Sequence, residues 1–421
     1  MRFEIIKNLL TTILTDRKRR IFSIFLVAFF IRLGVFFLLE DTPRGDAADY
    51  ENIALNIING EGFVSTRMGL YSYRPPLYPL FLAGIFAIKT SYFVVGFIQA
   101  IISSITCIIV FYIGESIFDE DSGSVASIIM ALYPGLIFYS TQLLSETLFV
   151  FILLLGIYVF FRDDNRYEAR HKYVLLGILV GLASLCRPVI FPFLIFLIPF
   201  CPLSREHNVK KWMLVTCFAL LTIAPWTIRN YYVHHKFILL TTYGGANLWM
   251  GNYSGATGYI GRPNNINELV RRDDISEPEK DLLFYKKAVS FIVGNPAAFV
   301  KLSVKKLILF WNPWVDNHTG PTYISNKNID YKSIIAIAFS ALMLFAVIGF
   351  FNTSRVWKKT WLLLMLLLYF SIVSMVFYVS FRYRQPIIPV LGLFAGKGIV
   401  FSFSSIKHKI KGLFREIHWS I

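Results

Sequence analysis

The chain has 421 residues, of which 56% are hydrophobic and 17% aromatic, and its formal net charge is +16. Four uncharged runs, 91–114, 122–145, 333–354 and 360–381, are each long enough to cross roughly 30 Å of hydrocarbon as a helix, which excludes an ordinary soluble domain. The positive charge then belongs at a membrane face beside lipid phosphates, and no basic groove with interleaved aromatics points to nucleic acid.

The predicted fold is an all-α polytopic membrane protein. The first span, 21–39, follows the basic run Arg17–Arg20 and is interrupted by Arg32. It has no small-residue cleavage pattern after it, so it reads as a retained helix rather than a signal peptide. Further spans are expected at 92–114, 122–142, 144–161, 173–186, 188–203, 212–228, 333–354, 360–380 and 385–404. Ten spans place both termini inside, with 1–20 a basic cytoplasmic N-terminus, 21–404 the membrane domain and 405–421 a basic cytoplasmic tail. The segments assigned inside hold half of the 42 Lys and Arg residues, as the positive-inside rule asks. One inside loop, 115–121, carries four acids and no base. The 32 residues of 173–204 are short for two full helices. Two broken helices with Arg187 at their turn, or one kinked span, would fit, and the count stays open between nine and twelve.

Two outer regions remain, 40–91 and 229–332. Within them, 75–88 and 302–310 suit helices lying at the interface, the second anchored by Trp311 and Trp314. The stretch 281–291 could be a helix, the Gly/Asn-rich stretch before it reads as loop, and Gly244 and Gly245 mark a turn. Cys107, Cys186, Cys201 and Cys217 lie in or beside apolar segments and read as packed thiols. His234 and His235 lack spaced partners for a metal, and there is no phosphate-binding loop or dinucleotide fingerprint.

The residues with chemistry collect on the outer side. In GDAADYENIALNIINGEGF, Asp46 opens a helical run in which Tyr50, Ala54 and Ile57 share a face. Asp46 lies one turn from Tyr50 on that face, while Asp49 and Glu51 are read as pointing to solvent. Asp46 either caps the helix or acts on a ligand. Glu146 starts the span 144–161 and either marks the interface or faces a cavity. Two acids from different elements could flank a reacting hydroxyl, one taking its proton. Arg74, Arg187, Arg229, Arg382 and Arg384 fall near the same interface. Each could snorkel to headgroups, or hold a phosphate through paired hydrogen bonds.

The series GDAADYENIALNIINGEGF, YRPPLYPLFLAGIF, FYSTQLLSETLF, GLASLCRPVIFP, APWTIRNYYVHHKFILLTTYGGANLWMGN and FRYRQPIIPVLGLFAG resembles the dolichyl-phosphate-mannose protein mannosyltransferases. The resemblance is closest to bacterial and archaeal members, which include the lipid A aminoarabinose transferases. It implies a GT-C bundle that transfers a sugar, with inversion, from a polyprenyl or dolichyl phosphate to an acceptor on the periplasmic or outer face of the cytoplasmic membrane. By that resemblance Asp46 is the first-loop acid, Glu146 the second acidic position, and Arg382 and Arg384 hold the lipid phosphate. Tyr50 and Arg74 would shape the same cavity. Arg187 and Arg229 are read with the substrate- and phosphate-binding residues from their place at the same interface. The partners implied are the lipid-linked sugar, membrane lipids and a glycan, lipid or protein acceptor. The sequence specifies no cofactor, and Asp46 and Glu146 could share a divalent cation. The chain lacks the paired Asp-Glu and the MIR domain of the eukaryotic enzymes, and stops soon after Arg-Tyr-Arg, where the aminoarabinose transferases carry a longer C-terminal portion. From the residues alone, a transporter or flippase of a lipid-linked sugar is the rival, and a non-catalytic scaffold is a third class.

Overall fold

The computed structural model describes residues 16–39, 43–162, 169–197, 206–270, 272, 274–314, 331–353 and 356–418. Residues 1–15, Cys201 with the second half of the expected span 188–203, and His318 lie outside these. The elements in chain order are α1 Arg17–Leu38, α2 Asp46–Ile58, α3 Leu77–Ile88, α4 Tyr92–Ile117, α5 Glu120–Leu132, α6 Pro134–Thr141, α7 Glu146–Phe161, α8 Ala169–Cys186, a 3₁₀ turn at Pro188–Ile190 and the single-turn α9 Phe193–Phe196. They continue with α10 Glu206–His234, α11 Gly244–Gly251, α12 Ile266–Val270, α13 Glu277–Gly294, α14 Pro296–Trp311, α15 Tyr331–Phe351, α16 Trp357–Val376 and α17 Ile388–His418.

The protein is a polytopic membrane bundle. Among the described residues six helices are long and apolar enough to span: α1, α4, α15 and the larger parts of α10, α16 and α17. α5 and α6, bent by 52° at their junction, make a seventh if taken as one span. α7 is a shorter apolar helix, and α8 fills the expected 173–186 segment. The segment at 188–203 does not form a long helix over its described part, because Pro188 and Pro192 break it into the 3₁₀ turn and α9. Gly244 and Gly245 begin α11 rather than ending at a turn.

Close helix contacts rest on glycine. A β-carbon on Gly349 of α15 or Gly398 of α17 would overlap backbone of the facing helix, so only glycine lets these backbones approach, as is usual where lipid removes the hydrophobic drive between helices. At the end of the bundle opposite the 40–91 loop, the acidic loop finds its bases: Arg17 pairs with Glu115 at 2.7 Å, Lys397 with Asp119 at 2.7 Å, and Arg20 with Glu120. Three of the loop's four acids are therefore paired with bases on α1 and α17.

Arg32 explains how a cation can sit inside α1. Pro134 has no N–H to give the Met130 carbonyl, so the bend between α5 and α6 leaves backbone acceptors without helical donors. The Arg32 guanidinium, 1% exposed, donates to the carbonyls of Met130 at 3.2 Å and Ala131 at 3.1 Å, and to Ser103 Oγ at 2.7 Å. Arg32→Met should lower stability by ~2 kcal/mol or more, since buried carbonyls lose their donors. Adding Pro134→Ala restores a helical donor for Met130 and should recover part of the loss. Thermal unfolding in detergent checks this; a single variant as stable as wild type would contradict the capping role.

Candidate active site

Gly45, at φ 54°, adopts the left-handed backbone that turns the chain into α2, and this makes Asp46 the first helical residue. Asp49 follows three positions later and, against the expectation of solvent exposure, is buried at 8%. Helical spacing of three puts both acids on one side, where Arg74 meets them: its Nη2 donates to Asp46 Oδ1 at 2.5 Å and to Asp49 Oδ2 at 2.8 Å. Glu51 accepts from Tyr92 Oη instead.

Arg74 is fixed further by aromatics. Its guanidinium carbon lies 5.3 Å from the Tyr50 ring, 4.8 Å from Tyr73 and 5.9 Å from Tyr243, within cation–π range. Pro75 and Pro76 end this segment and lead into α3. The preceding stretch is fastened by two other groups. Arg229 donates to the carbonyls of Phe63 at 2.7 Å and Tyr71 at 2.9 Å. Glu277, in the first turn of α13, accepts from the amides of Tyr71 at 2.7 Å and Ser72 at 2.9 Å. His234 Nε2 lies 2.8 Å from Ser72 Oγ in the same knot. Arg229 thus holds the loop that carries Arg74 and is not among the residues lining the cavity.

Glu146 is positioned by a break in the chain. At the end of α6 and just past it the Ser140 and Gln142 carbonyls accept from Gln99 Nε2 at 3.2 and 2.8 Å, and α7 then begins at Glu146, a carboxylate at a helix N-terminus. Its side chain is 1% exposed. Its Oε1 accepts from Arg187 Nη2 at 3.2 Å and from Arg382 Nε. Arg382 Nη1 also donates to Asp46 Oδ2.

Asp49, Arg74, Asp46, Arg382, Glu146 and Arg187 therefore form one alternating chain of charges, three acids and three guanidiniums. Among the described residues Arg382 alone bonds both Asp46 and Glu146. Burial pushes the Asp46 carboxyl up, but the guanidiniums of Arg74 and Arg382 outweigh it and hold the group well below the usual carboxylate range.

The segment carrying Arg382 is itself anchored. Lys306 of α14, fully buried, donates to Asn252 Oδ1 at 2.8 Å and lies 3.4 and 3.5 Å from the Met375 and Val376 carbonyls at the end of α16. Burial without a carboxylate partner brings its amine down to about 7. Arg384, two residues past Arg382, turns the other way. It is 3% exposed, donates to the Leu309 carbonyl at 2.8 Å, packs over Phe339 and does not line the cavity. Burial brings it down to about 10.

The charges border a cavity of about 1310 Å³, with Asp46, Tyr50, Arg74, Arg187 and Arg382 in its wall. One wall, read along α16 and beyond, passes from Tyr369, Phe370, Ile372 and Val373 to Tyr378, Ser380, Arg382 and Tyr383. A second apolar part includes Phe36, Phe37 and Leu39 of the α1 end. Asp281 of α13 also lines the cavity; burial pushes its carboxyl up to about 6, and its Oδ1 accepts the Gly245 N–H at 2.7 Å. The sequence singled out none of Asp49, Tyr73, Tyr243, Asn247, Tyr378, Tyr383 or Asp281 as site residues. Only Asp49, by its spacing from Asp46, and Tyr383, between two arginines, carried a readable signal. Among the described residues no group of three or more His, Cys, Asp or Glu gathers for a metal.

Residues 73–228 match the family model of dolichyl-phosphate-mannose-protein mannosyltransferase. The match includes Arg74, Glu146 and Arg187, while Asp46 and Arg382 join them through the fold. Comparison with curated protein sequences gives no match. The apo oligosaccharyltransferase of Archaeoglobus fulgidus superposes with a TM-score of 0.57 at 14% identity, covering 95% of this chain and 52% of that one. AglB from the same organism, in complex with an inhibitory peptide and a dolichol-phosphate, gives 0.56 at 15% identity, covering 96% and 52%. ArnT from Cupriavidus metallidurans bound to undecaprenyl phosphate gives 0.45 at 12% identity, covering 89% and 76%. The chain thus has the membrane fold of the A. fulgidus oligosaccharyltransferase and spans about half of its length.

Since folding lowers the proton affinity of Asp46, its stabilising contribution is complete above the ordinary aspartate pKa of about 4 and is lost as pH falls through the depressed value. Thermal unfolding in detergent from pH 7 to 3 should therefore lose less stability below about pH 4 in Asp46→Asn than in wild type. Identical acid slopes would remove Asp46 from the clamp.

Proposed function

We propose that the protein is a glycosyltransferase that moves a sugar from a polyprenyl-phosphate donor to an acceptor hydroxyl at the aqueous mouth of its cavity. The observation that carries this reading is the placement of Arg382 and Arg187 beside two acids, on a wall that becomes apolar toward the membrane. A long isoprenoid fits the apolar part, and guanidiniums fit a phosphate where water is scarce. The site faces the periplasm or cell exterior in this reading, with the acid-paired end of the bundle in the cytoplasm.

The donor phosphate competes with Asp46 for Arg382 Nη1, while Arg382 Nε stays on Glu146. Once Arg382 turns to the phosphate, Asp46 loses one of its two cationic partners and its proton affinity rises. An acceptor oxygen then attacks the anomeric carbon from the face opposite the phosphate. The new C–O bond forms as the anomeric C–O(phosphate) bond breaks, the electron pair leaves with the lipid phosphate, and the acceptor proton passes to Asp46. A single displacement inverts the anomeric configuration, and no covalent glycosyl-enzyme is needed. Arg382 and Arg187 stabilise the charge that grows on the departing phosphate. Glu146 keeps both arginines in place, and Arg74 keeps Asp46 in place. Arg384 supports the Arg382 turn from behind, through the Leu309 carbonyl.

The A. fulgidus oligosaccharyltransferase has also been solved in complex with Zn and sulfate. In this chain the position bridging Asp46 and Glu146 holds the Arg382 guanidinium, so no step is assigned to a cation.

Mass spectrometry of envelope glycolipids, glycans and glycoproteins should show one defined sugar addition in cells carrying wild type. Cells carrying Asp46→Asn, at equal membrane abundance, should retain under about 10% of it, in line with removal of a group acting in proton transfer. Retention above that level would remove Asp46 as the proton acceptor. Profiles unchanged by either protein would favour transport of the lipid-linked sugar.

A further inference from the structure

We propose that Tyr243, Asn247, Tyr378 and Tyr383 form the subsite that recognises the sugar of the lipid-linked donor, an inference that rests on the donor reading above.

A lipid-linked sugar is linear: tail, phosphate, then sugar ring. The cavity wall from α16 onward offers the three matching kinds of surface: the mostly apolar Tyr369, Phe370, Ile372 and Val373, the Arg382 guanidinium, and the tyrosines at 378 and 383. The Tyr383 ring lies 5.8 Å from the Arg187 guanidinium carbon, so a group one bond beyond a phosphate held by Arg187 and Arg382 meets Tyr383 first. Tyr378 lies next, with ring centroids 5.4 Å apart. Tyr243 approaches from the Asp46 side, packed on Tyr73 at 5.9 Å and on Arg74.

The polar atoms of this wall are already ordered. Tyr383 Oη donates to Tyr378 Oη at 2.8 Å, and Tyr378 Oη donates to Asn247 Oδ1 at 3.2 Å. This direction leaves the Asn247 amide N–H groups as donors and the Tyr383 oxygen as an acceptor. The aromatic faces suit the C–H face of a pyranose or furanose ring, and the amide and hydroxyls suit its hydroxyls; a mostly apolar pocket with a few placed polar groups fixes ligand orientation in this way. The wall is also rigid. Asn252, which ends α11, donates to the Val376 carbonyl at 2.8 Å and accepts from Lys306, so Asn247 and Tyr378 keep a fixed relation. Support of this kind is what a discriminating subsite needs.

The test compares wild type, Asn247→Ala and Tyr378→Phe purified from the protein's own cells. Polyprenyl phosphates that co-purify are quantified by mass spectrometry, with and without an attached sugar. The expected result is bare polyprenyl phosphate unchanged within about twofold. The sugar-bearing form should fall about tenfold in Asn247→Ala and several-fold in Tyr378→Phe, the scale of one or two lost hydrogen bonds. Retained bare lipid shows that the variants are folded. An unchanged sugar-bearing fraction would overturn the assignment and give this wall to the acceptor. Equal loss of both forms would overturn it as a purely structural effect. Wild type carrying no polyprenyl phosphate at all would overturn the donor reading itself, and this subsite with it.

Discussion

Everything at the site depends on one guanidinium. Arg382 joins Asp46, from the first loop, to Glu146, at the head of α7, and so closes a ring of chain segments that are far apart in sequence. Burying one charge in a membrane protein is costly, and a cluster of buried and partly buried charges is tolerable only when they alternate in sign. The alternation from Asp49 to Arg187 meets that condition. It also makes the site responsive: an arriving phosphate is an anion of the same kind as the carboxylate it displaces, and Arg382, at 21% side-chain exposure, is easier to reach than Arg74 at 12%.

The groups around this chain hold it rather than react. Arg229, Glu277 and His234 fasten the loop before Arg74, and Lys306 with Asn252 fastens the end of α16 before Arg382. Gln99 takes the carbonyls freed before Glu146, and Arg32 does the same work for the bend between α5 and α6. In each case a broken stretch of backbone, needed to aim a side chain, leaves acceptors that an embedded polar side chain must meet. The polar residues inside this bundle are explained by those breaks as much as by chemistry.

The helical membrane fold was legible because uncharged runs of the right length allow little else. Asp46 and Glu146 were legible because acids at the ends of apolar segments are uncommon, and Arg187 and Arg382 because arginine stands at the same boundary. What was not legible came from two sources. Asp49 was read outward although its spacing from Asp46 permitted the inward side; its burial depends on Arg74, whose position is set by Arg229 and Glu277 from distant segments. Arg382 and Arg384 look equivalent in FRYR, yet the 3₁₀ turn at Phe381–Arg384 sends one to the cavity and the other to Leu309. Proline likewise decided the 188–197 stretch, where composition suggested a span and ring geometry forbade a long helix. Of the tyrosine wall only Tyr383, between two arginines, carried a local signal, since α11 and the 377–384 segment meet only in the folded chain.

The most direct test is a cryo-electron microscopy structure of the full chain with undecaprenyl phosphate. The expected result is a phosphate roughly 3 Å from the guanidiniums of Arg382 and Arg187, with the Asp46–Arg382 pair opened and the isoprenoid along Tyr369, Phe370 and Val373. A phosphate bound away from Arg382 with the Asp46–Arg382 pair intact would contradict the account.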